Sequence, residues 1–112
     1  MFSFLKPTSL NYQDLTPAQF AAGLGQPGAV LVDVRRPEEF AQGHLPGALN
    51  LDSSSLDFAR RVAALDPSRP TYVYCRSGAR SAKAARQLGV LGFRQVHNLL
   101  GGVLDWPHRL VG

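Results

Sequence analysis

The residues of this chain best suited to chemistry lie together in Cys75-Arg76-Ser77-Gly78-Ala79-Arg80-Ser81. Cys75 is the one cysteine. A cysteine reacts through its thiolate, which is scarce near neutral pH unless its surroundings lower the thiol pKa. A tight turn after Cys75 would aim successive backbone N–H groups inward as an anion-binding nest. A helix starting just beyond it would add the positive end of its dipole. Gly78 permits the left-handed backbone that such a turn needs. Arg76 and Arg80 bring positive charge, and Ser77 or Ser81 a further hydrogen-bond donor. The competing reading makes Cys75 a small buried hydrophobe, the usual fate of a free cysteine. Its place before a polar, glycine-bearing turn with two arginines argues instead for a reactive thiol.

Placing that turn requires a strand before it and a helix after it. Pro70 to Tyr74 reads as a strand ending at Cys75, and Arg80 to Leu91 as a helix with Ala82, Ala85 and Leu88 inward. Ala29 to Val34 is a continuous, β-branched run, the pattern of a strand buried on both faces. Upstream, Thr16-Pro17-Ala18-Gln19 starts a helix with a capping box, expected to end near Ala22 because Gly23, Gly25 and Pro27-Gly28 follow. Pro37-Glu38-Glu39-Phe40 starts a short helix with acids in its first turn. A short strand is expected at Ala48 to Leu51. A helix capped by Ser54 or Ser55 should turn Leu56, Ala59, Val62, Ala63 and Leu65 inward. Arg94 to Leu99 suggests a last strand, and Gly102 to His108 a last short helix. Alternating strands and helices predict an α/β fold with a mostly parallel sheet covered on both faces. Ligands of such sheets bind beyond the carboxyl ends of the strands, where Cys75 falls. The order of the strands is not readable from this pattern.

Composition narrows the function classes. The chain has 112 residues, 45% of them apolar, enough for one packed core. Its formal charge of +4 suits acidic or anionic partners. The basic residues are scattered rather than clustered, so nucleic acid is not the expected partner. Met1 to Leu5 is apolar, but Lys6 and Pro7 end it too early for a membrane or signal segment, which makes the cytoplasm the expected location. A single cysteine fits a reducing compartment. His97 and His108 lack partners at metal-ligand spacing, so no metal site is expected. His44 reads as a turn residue rather than a base. Asp33 and Arg35 end a buried strand near the same sheet edge, as supports for the loop or as an ordinary ion pair. Trp106 reads as an anchor for the last helix. Phe2, Phe4 and Leu5 would tuck onto the domain, stay loose or mediate dimerisation.

The loop, together with Asp33-Val34-Arg35-Arg36-Pro37-Glu38-Glu39-Phe40, Gly43-His44-Leu45-Pro46-Gly47-Ala48-Leu49-Asn50 and Gly101-Gly102 followed by Trp106, resembles the rhodanese homology domain. The resemblance spans about Leu15 to Trp106, with the motifs in the family's order. Residues 1–14 are then an N-terminal extension and 15–112 the domain. The resemblance implies a three-layer fold with a five-stranded, mostly parallel sheet and helices on both faces. It implies a sulfurtransferase in which Cys75 takes the outer sulfur of thiosulfate or a persulfide donor, holds it as a Cys75 persulfide and passes it to cyanide or a thiol. Arg76, Ser77, Gly78, Ala79, Arg80 and Ser81 would then form the substrate-binding loop around the catalytic Cys75. This covalent scheme needs no cofactor. A protein could also be the sulfur acceptor.

Two rivals remain. A cysteine-dependent phosphatase or arsenate reductase also holds an anion over a cysteine, but here four residues separate Cys75 from Arg80, against five in the tyrosine-phosphatase signature. The smaller ring suits a sulfane sulfur better than a tetrahedral phosphate. A non-catalytic binding module is the second rival; such rhodanese-like domains typically lose the cysteine, which this chain keeps.

Overall fold

The computed structural model describes residues 11–112. Five parallel strands form one sheet: β1 (Gln13–Leu15), β2 (Val30–Asp33), β3 (Leu49–Asn50), β4 (Thr71–Tyr74) and β5 (Val96–Leu99), in the order β1-β5-β4-β2-β3. The connecting helices are α1 (Pro17–Leu24), α2 (Pro37–Gln42), α3 (Phe58–Ala63) and α4 (Ala79–Val90), with a 3₁₀ turn over Gly102–Asp105. β4 is therefore central, paired with β2 from Val30↔Thr71 to Asp33↔Tyr74 and with β5 from Thr71↔Val96 to Val73↔Asn98. The α/β architecture and parallel sheet agree with the expectation.

Strand alternation divides the core between the two faces. Val32, Val34, Val73, Cys75 and Val96 pack with Phe58, Val62, Ala84, Ala85 and Leu88 of α3 and α4. Leu31, Tyr72, Tyr74 and Leu99 pack on the other face with Phe20 of α1 and Leu45. There Phe20 meets Tyr72 edge-on at 5.3 Å and Trp106 at 6.0 Å between ring centroids, so Trp106 clamps the closing segment to α1. Parity thus sends Cys75 toward α4 and Tyr74 toward the opposite layer.

Several boundaries differ from the sequence reading. Gly23 does not end α1; it lies within it, where a Cβ would meet the Tyr72 ring at 2.6 Å, so the glycine allows helix and strand to approach. Thr16 caps α1 as expected, with the reciprocal bonds to Gln19 at 3.2 and 2.9 Å. α3 starts at Phe58, later than a Ser54 or Ser55 cap implies. Asp52 accepts from Ser54 N at 2.8 Å and holds the preceding residues in a local turn instead. The buried face of α3 is consequently Phe58 and Val62, while Leu56, Ala59 and Ala63 face solvent. Ala82 is only half-buried; Ser81, Ala84, Ala85 and Leu88 form the inner face of α4. The last helix is confined to the 3₁₀ turn and does not reach His108. β1 starts at Gln13, inside the segment expected as an extension. Phe2, Phe4 and Leu5 lie outside the described residues. Among the described residues, no helix is long and apolar enough to cross a membrane.

Candidate active site

Cys75 follows β4 directly and is buried, 1% exposed. The chain then turns through Arg76, Ser77 and Gly78 into α4. Gly78 has φ +105°, a conformation that side chains resist, and a Cβ there would press on Leu99 O at 3.3 Å. The turn aims three donors at the Cys75 Sγ: Gly78 N at 3.1 Å, Ser81 N at 3.3 Å and Ser81 Oγ at 3.3 Å. Burial pushes the thiol pKa up, but the bonds from the Ser81 hydroxyl and the Ser81, Gly78 and Ser77 backbone outweigh it, and the net shift is down. The Ser81 hydroxyl has a second acceptor, Gly78 O at 3.2 Å. Its single proton turns to the sulfur when the sulfur is ionised.

The base of the loop is fixed from the closing segment. Val103 N donates to Cys75 O at 2.9 Å and Leu104 N to Arg76 O at 3.1 Å. This requires Gly102 at φ +59°, where a Cβ would collide with the Arg76 carbonyl and come within 2.6 Å of Cys75 O. Asn98 of β5 links Asp14 at 2.9 Å to Gly78 O at 3.4 Å. Asn98 and Gly102 support the loop from distant parts of the chain; only the glycine pair carried a signal in the sequence.

Asp33 and Arg35 form a buried ion pair, Arg35 Nη2 to Asp33 Oδ2 at 2.7 Å and Arg35 Nε to Asp33 Oδ1 at 3.1 Å. Arg35 Nη2 also donates to Gly43 O at 2.6 Å, and Asn50 Nδ2 donates to the Asp33 and Arg35 carbonyls at 3.1 and 2.9 Å. Burial opposes the Arg35 charge, yet the Asp33 bonds prevail and raise its pKa. Tyr74 is pushed up by burial and by the Asp33 carboxylate, so it is a neutral phenol, and its oxygen accepts from Leu45 N at 3.0 Å. The pair therefore joins β2 to the Gly43–Leu45 turn, one strand away from the Cys75 loop. His44 belongs to that turn: its Nδ1 bonds Phe40 O at 2.8 Å, its ring stacks on Phe40 at 3.6 Å, and its backbone pairs with Val111.

Arg76, Ser77 and Ala79 are exposed. Arg80 directs Nη1 and Nη2 to the two carboxylate oxygens of Glu39 on α2, at 2.9 and 3.0 Å. The Arg80 charge is thus matched by a carboxylate 41 residues away in sequence. Sequence reasoning placed Glu39 as a helix-start acid within a motif of the resemblance, with no link to Arg80. His97 is half-buried against Tyr72, and burial lowers its pKa. Among the described residues, no group of three or more His, Cys, Asp or Glu side chains could hold a metal ion.

The sequence matches the rhodanese-like domain family over residues 16–108. It is 42% identical over 93 residues to a Stutzerimonas stutzeri protein named thiosulfate sulfurtransferase GlpE, covering 82% of this chain and 83% of that one. It is 39% identical over 96 residues to the uncharacterized protein YqhL of Bacillus subtilis, covering 86% and 73%. A crystal structure of a rhodanese-related protein from Thermoplasma volcanium superposes with a TM-score of 0.78 at 25% identity, over 89% of this chain and 98% of that chain. Relatives named as sulfurtransferases support sulfurtransferase activity of the rhodanese type here. By the extent of the match and the architecture of the sheet, this chain belongs to the rhodanese-like domain family.

Proposed function

We propose that this protein moves a sulfane sulfur through a Cys75 persulfide. The observation that carries this reading is the convergence of Gly78 N, Ser81 N and Ser81 Oγ on one buried sulfur. The Cys75 thiolate attacks the outer sulfur of thiosulfate. That sulfur's bond to the sulfonate breaks with its electron pair, so sulfite leaves and Cys75–S–S⁻ remains. The terminal sulfur carries the charge that the loop's N–H dipoles favour. In the second half-reaction, cyanide or a thiolate attacks that terminal sulfur, and Cys75 departs again as a thiolate. Asp33, Arg35 and Tyr74 are positioning residues for the adjoining turn. The reaction asks for no metal or organic cofactor. A free thiol that must stay reduced suits the cytoplasm.

The phosphatase alternative is disfavoured by the loop length: four residues separate Cys75 from Arg80, and the smaller ring suits a sulfane sulfur better than a tetrahedral phosphate. Incubation with thiosulfate is expected to add the mass of one sulfur atom to the intact protein and to yield thiocyanate once cyanide is supplied. Cys75→Ser is expected to reduce both to background with an unchanged circular-dichroism spectrum. Turnover of an aryl phosphate without persulfide formation would overturn this function.

A further inference from the structure

Opposite charges share the rim of the Cys75 loop, and the fold ties them together. Glu39 is fixed in the first turn of α2, where its Oε1 also accepts from Arg36 N at 3.1 Å. Arg80 stands in the first turn of α4, next to Ser81, whose N and Oγ both donate to the Cys75 Sγ. The Arg80 bonds hold the Glu39 pKa down to about 2, against the opposing effect of burial, so the carboxylate is ionised wherever the thiolate reacts. Arg36 is turned toward Glu38 at 3.9 Å and exposed, and Arg76 is exposed to screening solvent. The groups in contact with the sulfur are dipoles, Gly78 N, Ser81 N and Ser81 Oγ. Dipoles stabilise one negative charge at contact, but their field falls off faster than that of a free guanidinium and draws a distant dianion weakly.

We infer that Glu39 sets the charge selectivity of the Cys75 loop: by pairing Arg80 it withholds a full positive charge from the donor, so the site suits singly charged sulfane donors, such as thiosulfonates and persulfides, over dianionic thiosulfate. This inference rests on the sulfurtransferase reading. A thiosulfonate reacts by the same displacement as thiosulfate. The thiolate takes the outer sulfur, the sulfur–sulfur bond breaks, and a sulfinate leaves with the electron pair. Donor charge is then the main difference between the two substrates.

The test uses methanethiosulfonate and thiosulfate as donors and cyanide as acceptor. In a ping-pong scheme the donor's kcat/KM reports the first half-reaction alone. Glu39→Gln keeps an acceptor for Arg36 N and leaves the Arg80 charge unmatched. It is expected to raise the ratio of kcat/KM for thiosulfate over methanethiosulfonate by about three- to tenfold, through KM rather than kcat. Arg80→Gln, which leaves the Glu39 charge unmatched, is expected to lower that ratio. Adding Glu39→Gln to Arg80→Gln is expected to bring the ratio back up. An unchanged ratio in Glu39→Gln, or a double variant as poor as Arg80→Gln alone, overturns the inference. The second result would mean that Arg80 binds the donor itself. If the wild-type chain forms no persulfide with either donor by intact mass, the sulfurtransferase reading fails and this inference with it. Persulfide formation with an unmoved ratio defeats the inference alone.

Discussion

Two arginine–carboxylate pairs draw on carboxylates six residues apart, Asp33 and Glu39, and both are bidentate, yet they do opposite things. Asp33–Arg35 is sealed at the end of β2, with side chains 0% and 6% exposed. Glu39–Arg80 lies at the rim of the Cys75 loop, with side chains 28% and 41% exposed. In the interior, each charge depends on its partner, on the bond from Arg35 Nη2 to Gly43 O and on the bond from Arg35 N to Asp33 Oδ1. At the rim, water screens both groups and the pair is worth little as glue. What the rim pair controls is the charge that an incoming substrate meets. The same functional groups thus serve the fold in one place and the chemistry in the other, and burial decides which.

The sharpest way to break that distinction is to remove Asp33. Asp33→Ala strands the Arg35 guanidinium in the interior and also removes the acceptor for Arg35 N at 2.8 Å. A loss of about 3–5 kcal/mol is expected, read from the urea midpoint with the slope unchanged. A loss under about 1 kcal/mol would place this pair in the same class as an exposed one.

The two pairs also mark how far the sequence can be read. Asp33 and Arg35 are two residues apart at the end of an apolar strand, so their meeting was legible, although the choice between support and ordinary pair depended on burial. Glu39 and Arg80 meet only because α2 and α4 both start at the carboxyl edge of the sheet, and no local spacing announces that. Cys75 was legible because a β-branched strand runs directly into a glycine turn. The strand order was not, since parallel crossovers of this length permit several arrangements. The start of α3 was misplaced because the side chains of Asp52 and Ser54 bond locally and compete with helix formation. Asn98 gave no signal; its role follows from β5 lying beside β4.

If the rim pair leaves the sulfur to dipoles, the thiol should answer more to Ser81 than to Arg80. Ser81→Ala removes a donor that favours the thiolate, so the pKa moves up and less thiolate is present at a given pH. Alkylation by iodoacetamide at pH 7 is expected to slow several-fold, with the pH–rate profile displaced to higher pH. Arg80→Gln should displace it less. A larger displacement for Arg80→Gln would put charge, rather than hydrogen bonding, in control of the nucleophile.

The smallest expected effect separates the stability role of the rim pair from its electrostatic role. Glu39 falls from an ordinary 4.5 to about 2 on folding, chiefly through the Arg80 bonds. A depressed carboxylate stabilises the fold above its unfolded pKa, and that contribution fades as pH falls from about 4.5 through about 2. Because Arg80 is well exposed, screening limits the contribution to no more than about 1 kcal/mol at neutral pH. Urea unfolding of the wild type and Glu39→Gln should therefore differ slightly at pH 7, with the wild type more stable. The two curves should converge as the medium is acidified through that window. Comparing the variants at each pH cancels the acid sensitivity that both proteins share through other carboxylates. A gap that persists unchanged below pH 3 would mean that Glu39 holds α2 by its shape and its bond to Arg36 N, with its charge contributing nothing to the fold.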